Sequence, residues 1–95
     1  MSNNIGTATI DFGAWPGSSE AEVVVTGQSQ LLSTHHVEAF FQADTTVDHT
    51  ADDHTYATAL VGLTCGAIME GVGFTIYARC LDKMQGTFQV RWVWA

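Results

Sequence analysis

Basic side chains are scarce in this sequence, which has 3 Lys and Arg against 10 Asp and Glu and a formal net charge of −7 at pH 7. Nucleic-acid binding needs clustered Lys and Arg to neutralise phosphates, and an anionic membrane surface attracts the same kind of cluster. Arg79, Lys83 and Arg91 are too few to form one. We therefore expect neither nucleic acid nor a membrane among the partners.

Long hydrophobic runs and targeting signals are also missing. The most apolar stretch, residues 59–69, has 11 residues and includes two glycines, whereas a membrane-spanning helix needs about 20 apolar residues. No basic segment precedes an apolar one at the start of the chain, so the sequence predicts no signal peptide. We expect a soluble protein that is made in the cytoplasm.

Cysteine is rare, with only Cys65 and Cys80 present. Each lies at the end of a predicted strand, so the two thiols could lie side by side and oxidise to a disulfide. The favoured interpretation is that both are small buried residues of a reduced core, since free cysteine is among the most buried residue types.

Charge of either sign is low, at 14% of residues against 46% apolar residues, whereas ordinary soluble domains carry about 25% charge. Residues 1–95 are predicted to form a single domain, and a domain of this size buries only about two-thirds of its chain surface. The remaining apolar surface has to be covered by something else. We therefore predict an obligate homo-oligomer.

The pattern of apolar residues predicts an all-β domain with no convincing helix and no internal repeat. About six short strands are separated by Gly-rich turns, which favours a β-sandwich or jelly-roll-like fold. The predicted strands cover residues 7–12, 22–26, 36–42, 58–65, 74–81 and 86–94.

The last two strands are predicted to form a C-terminal β-hairpin around residues 82–85. Along the final strand, Phe88, Val90, Trp92 and Trp94 share one face, which is the period of two of a half-buried strand. Chain ends are normally frayed unless something holds them. Trp92 and Trp94 are therefore predicted to belong to a packed terminus.

Residues 36–42 are apolar on both faces, which is typical of a central strand or of one covered by an interface. Phe40 and Phe41 are adjacent, so they point to opposite faces of such a strand. Whichever of the two lies outside the core is our first candidate for an oligomer contact.

The polar and acidic segment 44–55 is predicted to be a solvated surface loop, although its length also suits a short hidden helix, an edge strand or a segment with a function. His49 and His54, with Asp48, Asp52 and Asp53, offer ligands that a divalent ion uses. Their spacing does not fit a helical i, i+4 pair, nor the glycine and glutamate pattern of a calcium loop. We predict no metal site.

Signatures of catalysis are absent: the sequence has no G-x-S-x-G motif, phosphate loop or nucleotide fingerprint. We predict no catalytic residue and no cofactor. An alternative function comes from the aromatic residues, which could form a sugar-stacking platform and make the protein a glycan- or host-receptor-binding module. Trp15, in a turn before Pro16, is the aromatic residue most expected to be exposed.

Five segments together give the sequence a family resemblance: GTATIDFG at 6–13, VTGQ at 25–28, HVEAF at 36–40, GVGFTIYA at 71–78 and GTFQVRWVWA at 86–95. In this pattern of strands and turns the chain resembles small all-β bacteriophage virion structural proteins. The resemblance implies a subunit of a capsid decoration layer, a fibre or a tail component, commonly a homotrimer. It implies other virion proteins, such as major capsid or tail proteins, as partners, and assembly in the host bacterial cytoplasm.

Overall fold

The computed structural model describes residues 4–47 and 49–95, apart from the side chain of Ala59. Its strands form two three-stranded antiparallel sheets, with the orders β1-β6-β3 and β2-β5-β4. The predicted all-β sandwich of about six strands is confirmed. The elements are β1 (Ile5–Asp11), β2 (Ser18–Val25), β3 (Val37–Phe40), α1 (Ala51–Leu60), β4 (Val61–Met69), β5 (Gly73–Met84) and β6 (Thr87–Trp94).

The predicted C-terminal hairpin is wrong, although both of its strands exist. β5 is the central strand of one sheet and β6 is the central strand of the other. The connection between them bonds to the β1–β2 loop, since Gly86 N–H donates to Gly13 C=O over 2.8 Å and Phe12 N–H donates to Gly86 C=O over 3.0 Å. The chain therefore crosses from one layer to the other at this turn.

The inner faces of the two sheets meet in one apolar core. In β6 every second residue is buried, and Phe88, Val90, Trp92 and Trp94 form this buried row. Val90 and the fully buried Ile76 of β5 belong to the same cluster. The face predicted from the alternation in β6 is thus correct, because a period of two does not depend on which strand is the neighbour.

The prediction of a solvated loop over 44–55 is wrong for its second half, where α1 begins. Thr50 caps the helix: its hydroxyl accepts from Asp53 N–H at 3.2 Å, and the Asp53 carboxylate accepts from Thr50 N–H at 3.1 Å. Among the described helical side chains only His54 and Ala57 are buried, so the helix leaves almost no apolar periodicity in the sequence. In the described residues no helix is long and apolar enough to cross a bilayer.

Candidate assembly surface

The C-terminal tryptophans lie inside the sandwich. Trp94 is 6% exposed, and its indole Nε1–H donates to Gln28 Oε1 at 2.9 Å. The ring of Trp92 packs edge to face on Phe74, with centroids 5.4 Å apart. It also covers Gly6, where an added Cβ would come within 2.5 Å of the Trp92 ring. Neither indole offers a face to a ligand.

The backbone of the terminus is also held in place. Trp94 N–H donates to Asn4 C=O at 2.9 Å, and Ala95 exchanges two backbone hydrogen bonds with His36, at 2.9 and 2.8 Å. The terminus is therefore packed and hydrogen-bonded on both sides, as its tryptophans suggested.

Phe40 and Phe41 separate to the two faces of sheet β1-β6-β3. Phe41 is buried and meets Phe88 edge to face, with centroids 6.1 Å apart. Phe40, opposite Arg91 in the register, remains 40% exposed. Phe40 is therefore the candidate oligomer contact. The strand itself is a short edge strand, so of the two alternatives the central strand is wrong and a strand covered by an interface stays a prediction.

A groove runs between the edge strands β3 and β4, which belong to different sheets. It consists of two adjoining depressions of about 330 and 230 Å³ that share Ala39, Phe40 and Leu63. The larger depression is also lined by Val37, Glu38, Thr64 and Cys65, and the smaller by Phe41, Thr58 and Val61. Most of these residues are apolar, so the groove is suited to packing against another apolar surface.

The thiol in the groove is not an activated nucleophile. Burial, and secondarily the negative charge of Glu38, raises the pKa of Cys65 to about 11. The thiolate is the reactive form of cysteine, and at neutral pH it is almost absent here. Both cysteines are free. They do not lie side by side, because Cys65 pairs with Ile76 while Cys80 pairs with Val61, further along the same ladder.

His54 is fully buried and joins α1 to β6. Its Nε2 accepts from the backbone N–H of Gln89 at 2.9 Å, and its Nδ1 lies 2.9 Å from Thr50 C=O. Because Gln89 N–H can only donate and a carbonyl can only accept, these partners select the neutral tautomer with its proton on Nδ1. Both ring nitrogens are thereby used within the fold.

His49 lies in a different environment from His54. Its ring stacks on Phe88 with centroids 3.9 Å apart, and its nitrogens lie 3.1 Å from Asp53 Oδ2 and 2.7 Å from Gln85 C=O. The backbone hydrogen bond from Thr50, and then the bond to His49, hold the pKa of Asp53 below its usual value.

Across the described ranges no group of three His, Cys, Asp or Glu is placed to hold a metal. Asp48 lies outside the described residues.

An ion pair fixes the chain after β3. Arg91 donates from Nε and Nη2 to the two carboxylate oxygens of Asp44, at 3.0 and 2.7 Å. These hydrogen bonds lower the pKa of Asp44 and raise that of Arg91.

Trp15 is 82% exposed at the tip of the β1–β2 loop, as the sequence indicated. It borders a depression of about 260 Å³ with Ala14, His49, Gln85 and Gly86. The loop is held against β5, because a Cβ on Gly17 would overlap the Met84 carbonyl group. The exposed indole is thus carried on an anchored turn.

Comparison with protein-family models, curated proteins and solved structures finds no match for this chain. Sequence reasoning found Phe40, Trp15 and the packed terminus, but it missed the groove and the role of His54. The groove depends on which strands lie at sheet edges, and the sequence carries no direct signal for that.

Proposed function

We propose that this protein is a self-assembling structural subunit of a bacteriophage particle, either as a decoration protein on the capsid or within a fibre or tail component. The observation that carries the proposal is the exposed apolar surface. Among the described residues, eleven large hydrophobic side chains are at least 40% exposed, in a chain with only 3 basic and 10 acidic residues.

Such a surface favours burial between copies, because apolar area removed from water contributes roughly 25 cal/mol per Å². The core is already filled from both sheets and includes the C-terminal tryptophans, so these side chains have no place left inside. The bacteriophage setting rests on the family resemblance of the strand and turn pattern. The resemblance implies a trimer, whereas the edge contact proposed in the next subsection gives an even number of copies, and the measured mass decides between the two.

Light scattering of the purified protein at micromolar concentration tests self-assembly. We expect a mass that is a multiple of 10.3 kDa. A species of 10.3 kDa that persists as the concentration is raised would contradict the proposal.

Mass spectrometry of purified particles from a culture that carries the gene tests the location. Trypsin cuts after Lys83 and Arg91, so residues 84–91 form a compact diagnostic peptide. We expect this peptide in the particles at a constant ratio to the major capsid or tail protein. Finding it only in the soluble lysate would contradict a virion role.

Trp15 favours a second candidate, a glycan- or host-receptor-binding module. An exposed indole on an anchored loop, next to a depression that includes Gln85 and His49, offers an apolar face with polar neighbours. We would test adhesion and glycan binding of Trp15→Ala beside Tyr56→Ala, which also removes an exposed aromatic ring. Loss in Trp15→Ala alone, with assembly intact, would support this candidate, and equal binding by both variants would exclude Trp15.

A further inference from the structure

We propose that the outer edge of β4 pairs antiparallel with β4 of a second copy across a two-fold axis, so that two β2-β5-β4 sheets become one six-stranded sheet. This inference rests on the proposed self-assembly and names the surface that performs it. The partner is a second copy of this chain.

The four edge strands differ in their protection against such pairing. Natural edge strands are usually blunted by charged residues, proline, bulges or short length. β1 ends at Asp11, β2 contains Glu20 and Glu22, and β3 has four residues including Glu38. β4 has nine residues, VGLTCGAIM, with no charge and no proline.

Most of β4 also has the regular geometry that pairing requires. Residues 61–66 follow β5 without a shift, and the irregularity comes only between Gly66 and Met69, where Ala67 has a φ of 50°. In the described part of the chain no third strand is hydrogen-bonded to the outer edge of β4. Six residues of regular strand are therefore open to a partner.

In the other sheet, the part of β6 that β3 leaves unpaired is covered within the fold. β3 stops pairing with β6 at Phe40, opposite Arg91. Beyond Arg91, the next backbone N–H of β6 that points toward the β3 side belongs to Gln89. It donates its hydrogen bond to the buried Nε2 of His54. The edge of β4 receives no such cap from the described residues, which agrees with an edge that is covered by another copy.

A two-fold axis places residues of the same face opposite each other, so the centre of the regular segment is Leu63 or Thr64. Either centre brings two neutral strands together, although each copy carries a net charge of −7. The same self-pairing of β2 would set Glu20 and Glu22 beside their own copies. Charge therefore favours β4 over β2 for contact between identical chains.

The apolar groove continues this surface. Phe40 and Leu63 border the open side of β4, and a partner sheet that continues past β4 would cover them. A strand pair alone is a small interface, and these side chains add the apolar core that stable contacts need. A two-fold contact produces an even number of copies, whereas a closed ring of three would need a head-to-tail contact.

The test compares Thr64→Lys with Thr9→Lys. Thr64 and Thr9 are both exposed on edge strands, β4 and β1, and the two substitutions change the net charge equally. With the two-fold at Thr64 the two introduced lysines face each other, and with the two-fold at Leu63 they are diagonal neighbours on the same face, so either centre brings like charges together. We expect wild type and Thr9→Lys at an even multiple of 10.3 kDa, and Thr64→Lys with a dissociation constant raised by roughly tenfold or more.

A measurement on the wild-type protein does not depend on how the variants fold. Hydrogen exchange is followed in residues 61–66 while the protein is diluted, and we expect these amides to lose protection as subunits separate. A trimer, equal behaviour of the two lysine variants, or exchange that is independent of concentration would overturn the β4 contact and leave self-assembly standing. A monomeric wild type would overturn both proposals.

Discussion

Replacing His54 by alanine should destabilise the protein more than any exposed histidine substitution. The side chain is fully buried, and it provides the acceptor for Gln89 N–H where β3 no longer covers β6. Thr50 C=O keeps a partner in the variant, because the backbone N–H of His54 also donates to it at 3.1 Å. The hydrogen bond that the variant loses without replacement is therefore the one from Gln89 N–H.

The magnitude has three contributions. A buried N–H left without a partner costs roughly 1–3 kcal/mol. The cavity and the lost packing against Phe88, whose ring centroid lies 5.2 Å away, add on the order of 2 kcal/mol. The better helix propensity of alanine returns about 0.5 kcal/mol. We expect a net loss of about 2.5–4.5 kcal/mol, which lowers the melting temperature by about 10 °C or more.

Thermal and urea denaturation followed by circular dichroism measure this loss. His36→Ala is the matched control, because the His36 side chain is 77% exposed and its ion pair with Glu38 is on the surface. His54→Phe keeps a ring without nitrogens, so it isolates the missing acceptor. If His54→Ala melts within a few degrees of His36→Ala, the assigned role of His54 as a cap on β6 is wrong.

Deletion of residues 92–95 removes Trp92 and Trp94 from the core and should cost on the order of 3–5 kcal/mol or more, seen as unfolded or insoluble protein. Asp44→Asn should lower stability at neutral pH relative to the exposed control Asp82→Asn. Because folding lowers the pKa of Asp44, its contribution is complete above the unfolded value of about 3.9 and is lost as the pH falls through the folded pKa, so the difference should vanish in strong acid. Cys65, which is half-buried and has a pKa of about 11, should react with iodoacetamide at pH 8 far more slowly than free cysteine, and a rate equal to that of free cysteine would contradict the raised pKa.

Alternation of side chains predicted the strands well but not the sheets to which they belong. The buried row of β6 is visible in the sequence because it repeats every second residue. A short turn at Gly86 suits a hairpin as well as a crossing between layers. The crossing between layers is fixed by hydrogen bonds of Gly86 to Gly13 and Phe12. These two residues are more than 70 positions away in the sequence, so nothing near Gly86 predicts the bonds.

Helix α1 was missed for a different reason. Its residues are mostly polar and exposed, so hydrophobic periodicity, the main signal for a helix, is almost absent. The available signal was local: Thr50 and Asp53 have the spacing of a capping box with aspartate in the third position. A histidine in such a segment suggests solvent or metal, and only the tertiary contact with Gln89 shows that His54 is structural.

The candidate surface combines a property that the sequence displays with one that it hides. A strand without charge is ordinary in the middle of a sheet, where both neighbours cover it. At an edge it exposes unpaired backbone next to apolar side chains, and monomeric proteins avoid that combination. The composition of β4 is plain in the sequence, but its place at the edge is known only from the topology. Because the short β3 lies across the groove, the position of Phe40 beside that edge also depends on the fold. An uncharged composition together with a place at the sheet edge distinguishes β4 as the strand for a second copy, and neither property alone would single it out.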